Sequence, residues 1–305
     1  MGEKEQRILD DLPMSRLQVA AVVLCVALNA LDGFDVLAIS FSAPGIAAEW
    51  GISRAGLGLV LAMELVGMSI GSVILGTVAD RLGRRPIILG CLVVMALGML
   101  SASMTNSVNS LLVVRFITGL GIGGMLATIN AMVAEYSNAR HRNFNVTIMA
   151  AGYPIGIIIG GSIASMLLVH YDWRSVFVLG ALMTGFSLPV VWFLMPESIS
   201  YLTHKRGPDA LQKINSILKR MGHSAIDSLS DVDENLGKVG WRELFSPQLA
   251  RTTTLLTLAY AAHILTFYFI LKWIPKIVVD MDFSAASAGG VLVWANVGGA
   301  AGSFL

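Results

Sequence analysis

Long apolar stretches separated by polar segments dominate this sequence. Eight stretches hold about 20 mostly apolar residues each, the length that an α-helix needs to cross a hydrocarbon core of about 30 Å. Their expected bounds are Leu17–Phe41, Ala55–Val78, Pro86–Met104, Ser110–Ala134, Phe144–Val169, Ser175–Leu194, Thr252–Ile274 and Ala285–Leu305. They lack the alternation, roughly ten residues long, that is typical of membrane β-strands. The pattern therefore predicts an all-α membrane protein.

The polar connections divide these stretches into two groups. Six stretches lie close together, and about 50 mostly polar residues separate them from the last two. We predict an N-terminal cytoplasmic tail (1–16), a six-helix bundle (17–196), a cytoplasmic connecting segment (197–250) and the first two helices of a second bundle (251–305). Because the eighth stretch ends without a polar cap, we expect about four further helices in the complete protein.

One amphipathic helix is predicted within the connecting segment. Apolar residues at helical spacing, followed by a glycine at the stop position, predict a short helix over 208–222. These residues are Leu211, Ile214, Ile217, Leu218 and Gly222. We expect this helix either to lie along the membrane surface or to be a solvated linker.

Composition and motifs exclude several classes of protein. Apolar residues make up 55% of the chain and charged residues 13%, about half the charged share of a soluble domain. A soluble enzyme, a disordered chain and a nucleic-acid-binding protein are therefore excluded. Cys25 and Cys91 both lie in apolar stretches, which predicts no disulfide framework. The sequence carries no phosphate-binding loop, metal-ligand cluster or nucleophile motif, so we expect neither an enzyme nor a cofactor or metal.

Lysine and arginine residues are distributed unequally between the two sets of loops. With a cytoplasmic N-terminus, sixteen of the 21 lie on the cytoplasmic side and four outside, while Arg115 falls within a span. Because cytoplasmic loops carry the excess of positive charge, we predict a cytoplasmic N-terminus.

The turn between the second and third spans reads GTVADRLGRR. It resembles the most diagnostic motif of the major facilitator superfamily. The resemblance implies a helical bundle of two six-helix repeats, the second incomplete here, and a gating role for the motif. The motif residues are Gly76, Asp80, Arg81, Gly83 and Arg84. We expect Gly76 to let a neighbouring helix approach and Gly83 to allow a turn that a side chain would prevent. In the family, Asp80 would engage a helix of the second repeat when the transporter faces outward.

A narrower resemblance lies in the first span. The sequence Asp32-Gly33-Phe34-Asp35 resembles a motif of the aromatic acid:proton symporter branch, whose members import benzoate-like and hydroxybenzoate-like acids into bacteria. This resemblance implies a multi-pass protein of the bacterial inner membrane. Its expected partners are a small organic anion, a proton and the lipid bilayer, with no nucleic acid, and we expect a monomer.

Four charged residues are predicted within the membrane: Asp32, Asp35, Glu64 and Arg115. At about 1.5 Å per residue, all four fall at similar depths in the outer half of the bilayer. Asp32 and Asp35 lie three residues apart and share one helix face. In the family the first and fourth spans line the central cavity, so the resemblance implies a cluster of acids with an arginine.

These charges provide a way to bind and release a proton. Low dielectric and a second carboxyl group both favour protonation of a carboxyl group, so we expect Asp32 or Asp35 to carry a proton near neutral pH. Arg115 would either drive that proton off or hold the carboxylate of the substrate. Alternatively, Arg115 snorkels to the headgroups and Asp35 ends in solvent. Glu64 is a candidate ion-pair partner.

Aromatic residues of the seventh span are candidate substrate contacts. Tyr260, His263 and Phe267 lie on this span, which also lines the cavity in the family. Their rings and polar tips suit a benzoid ring that carries a hydroxyl group. The alternatives are helix packing for the aromatic stripe and a hydrogen-bonded core position for His263.

Glycines in the fifth span predict close helix packing. Gly152, Gly156 and Gly160 recur every four residues and form a smooth stripe. The stretch around them also partly resembles a glycine-proline motif of drug:proton antiporters.

We predict from these features a secondary active transporter for proton-coupled uptake of an aromatic, hydroxybenzoate-like carboxylate by alternating access. Within transport, the alternatives are a sugar or polyol porter and a drug:proton antiporter. A non-transporting nutrient sensor is the alternative from another class, favoured only by the long connecting segment.

Overall fold

The computed structural model describes residues 8–229 and 244–302, which are mainly helical. The principal helices are α1 (Arg16–Trp50), α2 (Arg54–Leu82), α3 (Arg84–Ser103), α4 (Val108–Tyr136), α5 (Arg142–His170), α6 (Arg174–Leu194), α7 (Ile199–Lys205), α8 (Ala210–Met221), α9 (Ala250–Asp280) and α10 (Ala285–Gly302). The predicted all-α membrane class is confirmed.

Seven of these helices, α1 to α6 and α9, are long and apolar enough to cross a membrane. The eighth predicted span forms α10, but α10 is not among the seven. Its 18 described residues include several glycines and the polar Asn296, which lower its mean hydropathy. The last predicted residues of this span, 303–305, lie outside the described residues.

Two of the spans extend past their predicted ends. The predicted spans end at Phe41 and Ile274, before Pro44 and Pro275, and proline often interrupts a helix because it removes a hydrogen bond. Both prolines instead lie inside their helices, as the packed surroundings of membrane helices allow. Lys276, beyond the predicted end, therefore belongs to the helix. So does Lys272, which was counted among the four basic residues outside the membrane although it lies within the predicted span.

Successive spans run in opposite directions, which gives the bundle two distinct ends. We call one the Trp50 end, where α1 stops and α2 starts, and the other the Arg84 end, where α2 stops and α3 starts. Helix α9 runs from the Arg84 end to the Trp50 end.

Helix α1 lies at the centre of the bundle. It contacts α4, α5, α6 and α9, and every side chain from Leu31 to Pro44 is buried. A membrane helix with apolar residues around its whole circumference is expected in such a position. The central position of α1 brings Asp32 and Asp35 into the protein interior.

The predicted close packing along Gly152, Gly156 and Gly160 is confirmed, and the neighbour is α1. A Cβ atom at Gly156 would overlap the carbonyl group of Ala30, and one at Gly160 would crowd the ring of Phe34. The absence of side chains therefore sets the distance between α1 and α5.

The connecting segment contains the predicted amphipathic helix as α8. Its apolar face is buried within the same hydrophobic core as the spans, and α8 contacts α7 and α1. The alternative of a solvated linker is therefore wrong, because protein covers the apolar face, and the position along the membrane surface stays a prediction.

Candidate functional site

The two acids of α1 are buried and largely without hydrogen-bond partners. Asp32 is 1% exposed and Asp35 0% exposed. Thr184 Oγ1 of α6 donates to Asp35 Oδ2 at 3.1 Å. Within the described part of the chain, the other Asp35 oxygen and both Asp32 oxygens have no hydrogen-bond partner. Ionised carboxylates are costly in such surroundings, so the two acids are candidate proton-binding groups, and the alternative of a solvated Asp35 is wrong.

Glu64 of α2 bridges two cations from different helices. Its Oε1 contacts Arg115 Nη2 of α4, and its Oε2 lies 2.9 Å from Lys272 Nζ of α9. All three side chains are buried. Glu64, Arg115 and Lys272 are called the ion network below. It connects the first six spans to α9.

Arg115 is enclosed on several sides. Its Nη2 also donates to the carbonyl of Asp35 at 3.1 Å, and its Nη1 lies 3.2 Å from Met99 Sδ. The guanidinium carbon is 5.5 Å from the ring centroid of Phe177. Since Arg115 is fully buried, snorkelling is wrong. The structure joins Arg115 to Glu64 and to the backbone at Asp35; its hydrogen bonds do not reach the α1 carboxylates.

The role of Lys272 was not predicted from the sequence, where this lysine was counted among the basic residues outside the membrane. Its side chain is 2% exposed and donates to the Val36 carbonyl at 2.7 Å as well as to Glu64. A usable signal follows Pro275 in the sequence. The apolar run at 277–279 indicates that the helix continues past the proline.

The aromatic candidates of α9 lie together but apart from the ion network. Ring centroids are 6.5 Å apart for Tyr260 and His263 and 6.2 Å apart for His263 and Phe267. All three residues are exposed in the described structure, so His263 is not a core histidine. The next ring, that of Tyr268, approaches α5, where its hydroxyl lies 3.4 Å from the Tyr153 hydroxyl.

At the Arg84 end, a second polar cluster holds the turn between α2 and α3. Arg84 Nη2 lies 2.7 Å from Glu135 Oε1 and 3.8 Å from Asp80 Oδ1. The Asp80 side chain is 73% exposed. Glu197 Oε1 accepts the backbone N–H groups of Arg84 at 2.9 Å and Arg85 at 3.2 Å. A carboxylate therefore caps the positive end of the α3 dipole.

The two glycines of this motif, Gly83 and Gly76, differ in whether a side chain would fit at their positions. Gly83 has a φ of 106°, and a Cβ atom there would lie 2.6 Å from Glu197 Oε2, so only glycine fits. A Cβ atom at Gly76 would lie 3.5 Å from Ala127 Cβ, an ordinary contact. The expected close helix approach at Gly76 is therefore wrong. Arg81 is exposed.

Relatives of this chain include two bacterial transporters. It is 32% identical over 299 residues to a gallate transporter of Pseudomonas putida, covering 97% of this chain and 66% of the relative. It is also 32% identical over 302 residues to the 4-hydroxybenzoate transporter PcaK of Acinetobacter baylyi, covering 96% and 66%. The chain thus spans about two thirds of the length of these curated relatives.

Solved structures show the same fold. A D-xylose-proton symporter matches with a TM-score of 0.68 at 17% identity, covering 92% of this chain and 66% of that one. The xylose transporter XylE of E. coli, in a partially occluded inward-open conformation, matches with a TM-score of 0.67 at 16% identity, covering 92% and 70%. The family model of the Major Facilitator Superfamily matches residues 24–305. The chain is therefore a multi-pass membrane protein that belongs to the Major Facilitator Superfamily.

Proposed function

We propose that this protein imports aromatic carboxylates, such as hydroxybenzoates, together with protons by alternating access across a bacterial inner membrane. The gallate and 4-hydroxybenzoate transporters among its relatives support the substrate class. The burial of Asp32 and Asp35, with three carboxylate oxygens lacking hydrogen-bond partners among the described residues, is the observation that carries the proton coupling. The excess of positive charge in the loops of the Arg84 end supports a cytoplasmic position for that end.

In this proposal Asp32 and Asp35 carry the proton. Arg115 acts as the countercharge of the site. It is not assigned to the substrate carboxylate, because Glu64 and the Asp35 carbonyl already occupy its guanidinium group. One proton that enters with one monoanion moves no net charge. The pH gradient would therefore drive uptake, and the membrane voltage would not.

Tyr260, His263 and Phe267 form the proposed contact surface for the aromatic ring of the substrate. Their rings follow one another along α9 and are exposed, so a planar ligand can reach them. Ring stacking and a polar imidazole suit a hydroxybenzoate better than they suit a sugar. For Arg115 to bind the substrate carboxylate, it would first have to release Glu64.

The motif at the Arg84 end is the proposed gate. Gly83 sets the turn, and Arg84 ties it to α4 through Glu135. Asp80 lies beside Arg84 but is largely exposed, and in this proposal it meets the second repeat. Gly76 and Arg81 complete the motif.

Uptake of labelled 4-hydroxybenzoate by cells that express the protein from its complete gene tests this proposal. We expect more accumulation at acidic than at neutral external pH, no effect of collapsing the voltage alone, and competition by benzoate and gallate. Asp32→Asn and Asp35→Asn should each abolish acid-stimulated accumulation.

Four results would contradict the proposal. Uptake that does not rise on acidification argues against symport, and full accumulation in both asparagine variants removes the proposed proton carriers. Competition by xylose in place of benzoate indicates a sugar porter. Binding without transport in vesicles indicates a nutrient sensor.

A further inference from the structure

The polar contacts of α9 with the first six spans, as far as the described residues show, lie along the half that approaches the Trp50 end. Within the described residues, its polar contacts with these spans run from Tyr268, which meets Tyr153, to Asp280, which lies 3.3 Å from Arg54. The preceding half of α9 is mostly exposed. Lys272 is the buried cation in this joined region.

Lys272 changes the net charge around Glu64 and Arg115 when α9 packs against the first six spans. Glu64 and Arg115 both belong to the first six spans, where together they form a neutral pair. Lys272 comes from α9 and adds one positive charge to that pair. It also borders a cleft of about 650 Å³ between α2 and α9, so a small separation of these helices would free it.

The bonds of Lys272 place this added charge against the backbone of α1, one residue after Asp35. Its ammonium group donates to the carbonyl of Val36, the residue after Asp35, and to the second oxygen of Glu64. In a low-dielectric interior, a cation acts over several ångströms and favours the ionised form of nearby carboxyl groups. Arg115 cannot act as a moving cation, because it shares the first bundle with the acids and with its partner Glu64.

We propose that Lys272 is a positioning residue that couples helix movement to proton release: its arrival expels a proton from the Asp32–Asp35 pair, and its withdrawal lets the pair take up a proton again. The inference rests on the proposed function, which makes these acids the proton carriers. The titratable and charged groups that interact with the pair are Glu64 on α2, Cys91 on α3, Arg115 on α4, Tyr153 on α5 and Tyr268 on α9. Lys272 of α9 reaches α1 at the Val36 carbonyl, one residue after Asp35. The facing groups of α6 are the uncharged Thr184 and Phe177. Of the cations in this set, Lys272 alone comes from outside the first six spans.

Linkage gives a test that needs no substrate. We call the protein joined when α9 contacts the first six spans at the Trp50 end, and separated when it does not. If joining expels one proton, raising the pH must favour the joined state. The ratio of joined to separated protein should then rise by about tenfold per pH unit while the acids titrate. Spin labels at Ala55→Cys on α2 and Phe283→Cys after α9, both exposed, report the distance across this end. The full-length protein in lipid nanodiscs would carry Cys25→Ser and Cys91→Ala.

We expect the distance distribution to shift with pH in the native background and to be independent of pH in Lys272→Gln. Lys272→Arg, which keeps the charge, should restore the shift. Lys276→Gln is the matched control: it removes a lysine one turn further along α9, where the partner is the partly exposed Asp280, and should leave the shift unchanged.

The outcomes separate this inference from the proposed function. A native protein without any pH shift, a full shift in Lys272→Gln, or loss of the shift in both Lys272 variants would each overturn the coupling role. A shift that persists in Asp32→Asn/Asp35→Asn shows instead that other groups carry the proton. Failure to transport 4-hydroxybenzoate leaves the distance measurement fully interpretable and rejects only the substrate.

Discussion

Thr184 of α6 donates a hydrogen bond of 3.1 Å to one carboxylate oxygen of Asp35 on α1, while the other oxygen of that carboxylate has no partner among the described residues. The bond fixes the rotamer of a carboxyl group that is completely buried. It also leaves one oxygen of Asp35 available for a proton. The placement of Thr184 therefore bears on function rather than on packing alone.

We predict that Thr184→Val reduces proton-driven accumulation by about fivefold, the equivalent of about 1 kcal/mol for a lost buried hydrogen bond. Valine keeps the shape of threonine but cannot donate to Asp35. Thr184→Ser keeps the hydroxyl group and should retain nearly native accumulation. Uptake assays of both variants at equal expression check this prediction. Equal losses in the two variants would mean that the methyl group matters and the hydrogen bond does not.

The ion network predicts an order of stabilities. Glu64→Gln leaves Arg115 and Lys272 buried together without their shared carboxylate, which should cost about 3–5 kcal/mol. Arg115→Gln leaves a neutral Glu64–Lys272 pair and should cost less, about 1–3 kcal/mol. Thermal unfolding of the purified variants in detergent measures the order. An Arg115 variant less stable than the Glu64 variant would show that contacts of Arg115 outside the network dominate.

The sequence predicts the positions of residues whose placement the membrane itself restricts. Asp32 and Asp35 stand in an apolar span, where a charged side chain has to face the protein interior or water. The glycine stripe of α5 has one physical use, close helix approach, and the structure places α1 against it. Such features follow from local sequence and the solvent.

Contacts between residues of different helices could not be predicted from local sequence. Lys272 was counted outside the membrane although it lies within the predicted seventh span, and its bond to Glu64 depends on how α9 meets α2. The amphipathic pattern of α8 is the same whether lipid, water or protein covers the apolar face. Periodicity gives the face of a helix but not what lies opposite to it.

Helix packing at Gly156 predicts a position-specific loss of stability. Gly156→Ala would drive a methyl group into the Ala30 carbonyl, and the resulting displacement of α1 from α5 should cost about 1–3 kcal/mol. Gly185→Ala on α6 is the matched control, because nothing lies within 4 Å of a Cβ atom there. That control should be neutral or stabilising by up to about 1 kcal/mol. Fluorescence-detected thermal unfolding compares the two. Similar melting temperatures would mean that the helices adjust their spacing freely.

The cap at the Arg84 end predicts a charge-dependent contribution to stability. Glu197 accepts N–H groups of Arg84 and Arg85 at the start of α3, so Glu197→Gln should destabilise the protein by about 1–2 kcal/mol, through lost dipole and capping interactions. Asp11→Asn removes a carboxylate that is exposed and should change stability by less than about 0.5 kcal/mol. Unfolding at low and high salt checks the origin of the effect. Because Glu197 is partly buried, its contribution should persist at high salt, and a contribution that vanishes there would mean that only screened surface charge is involved.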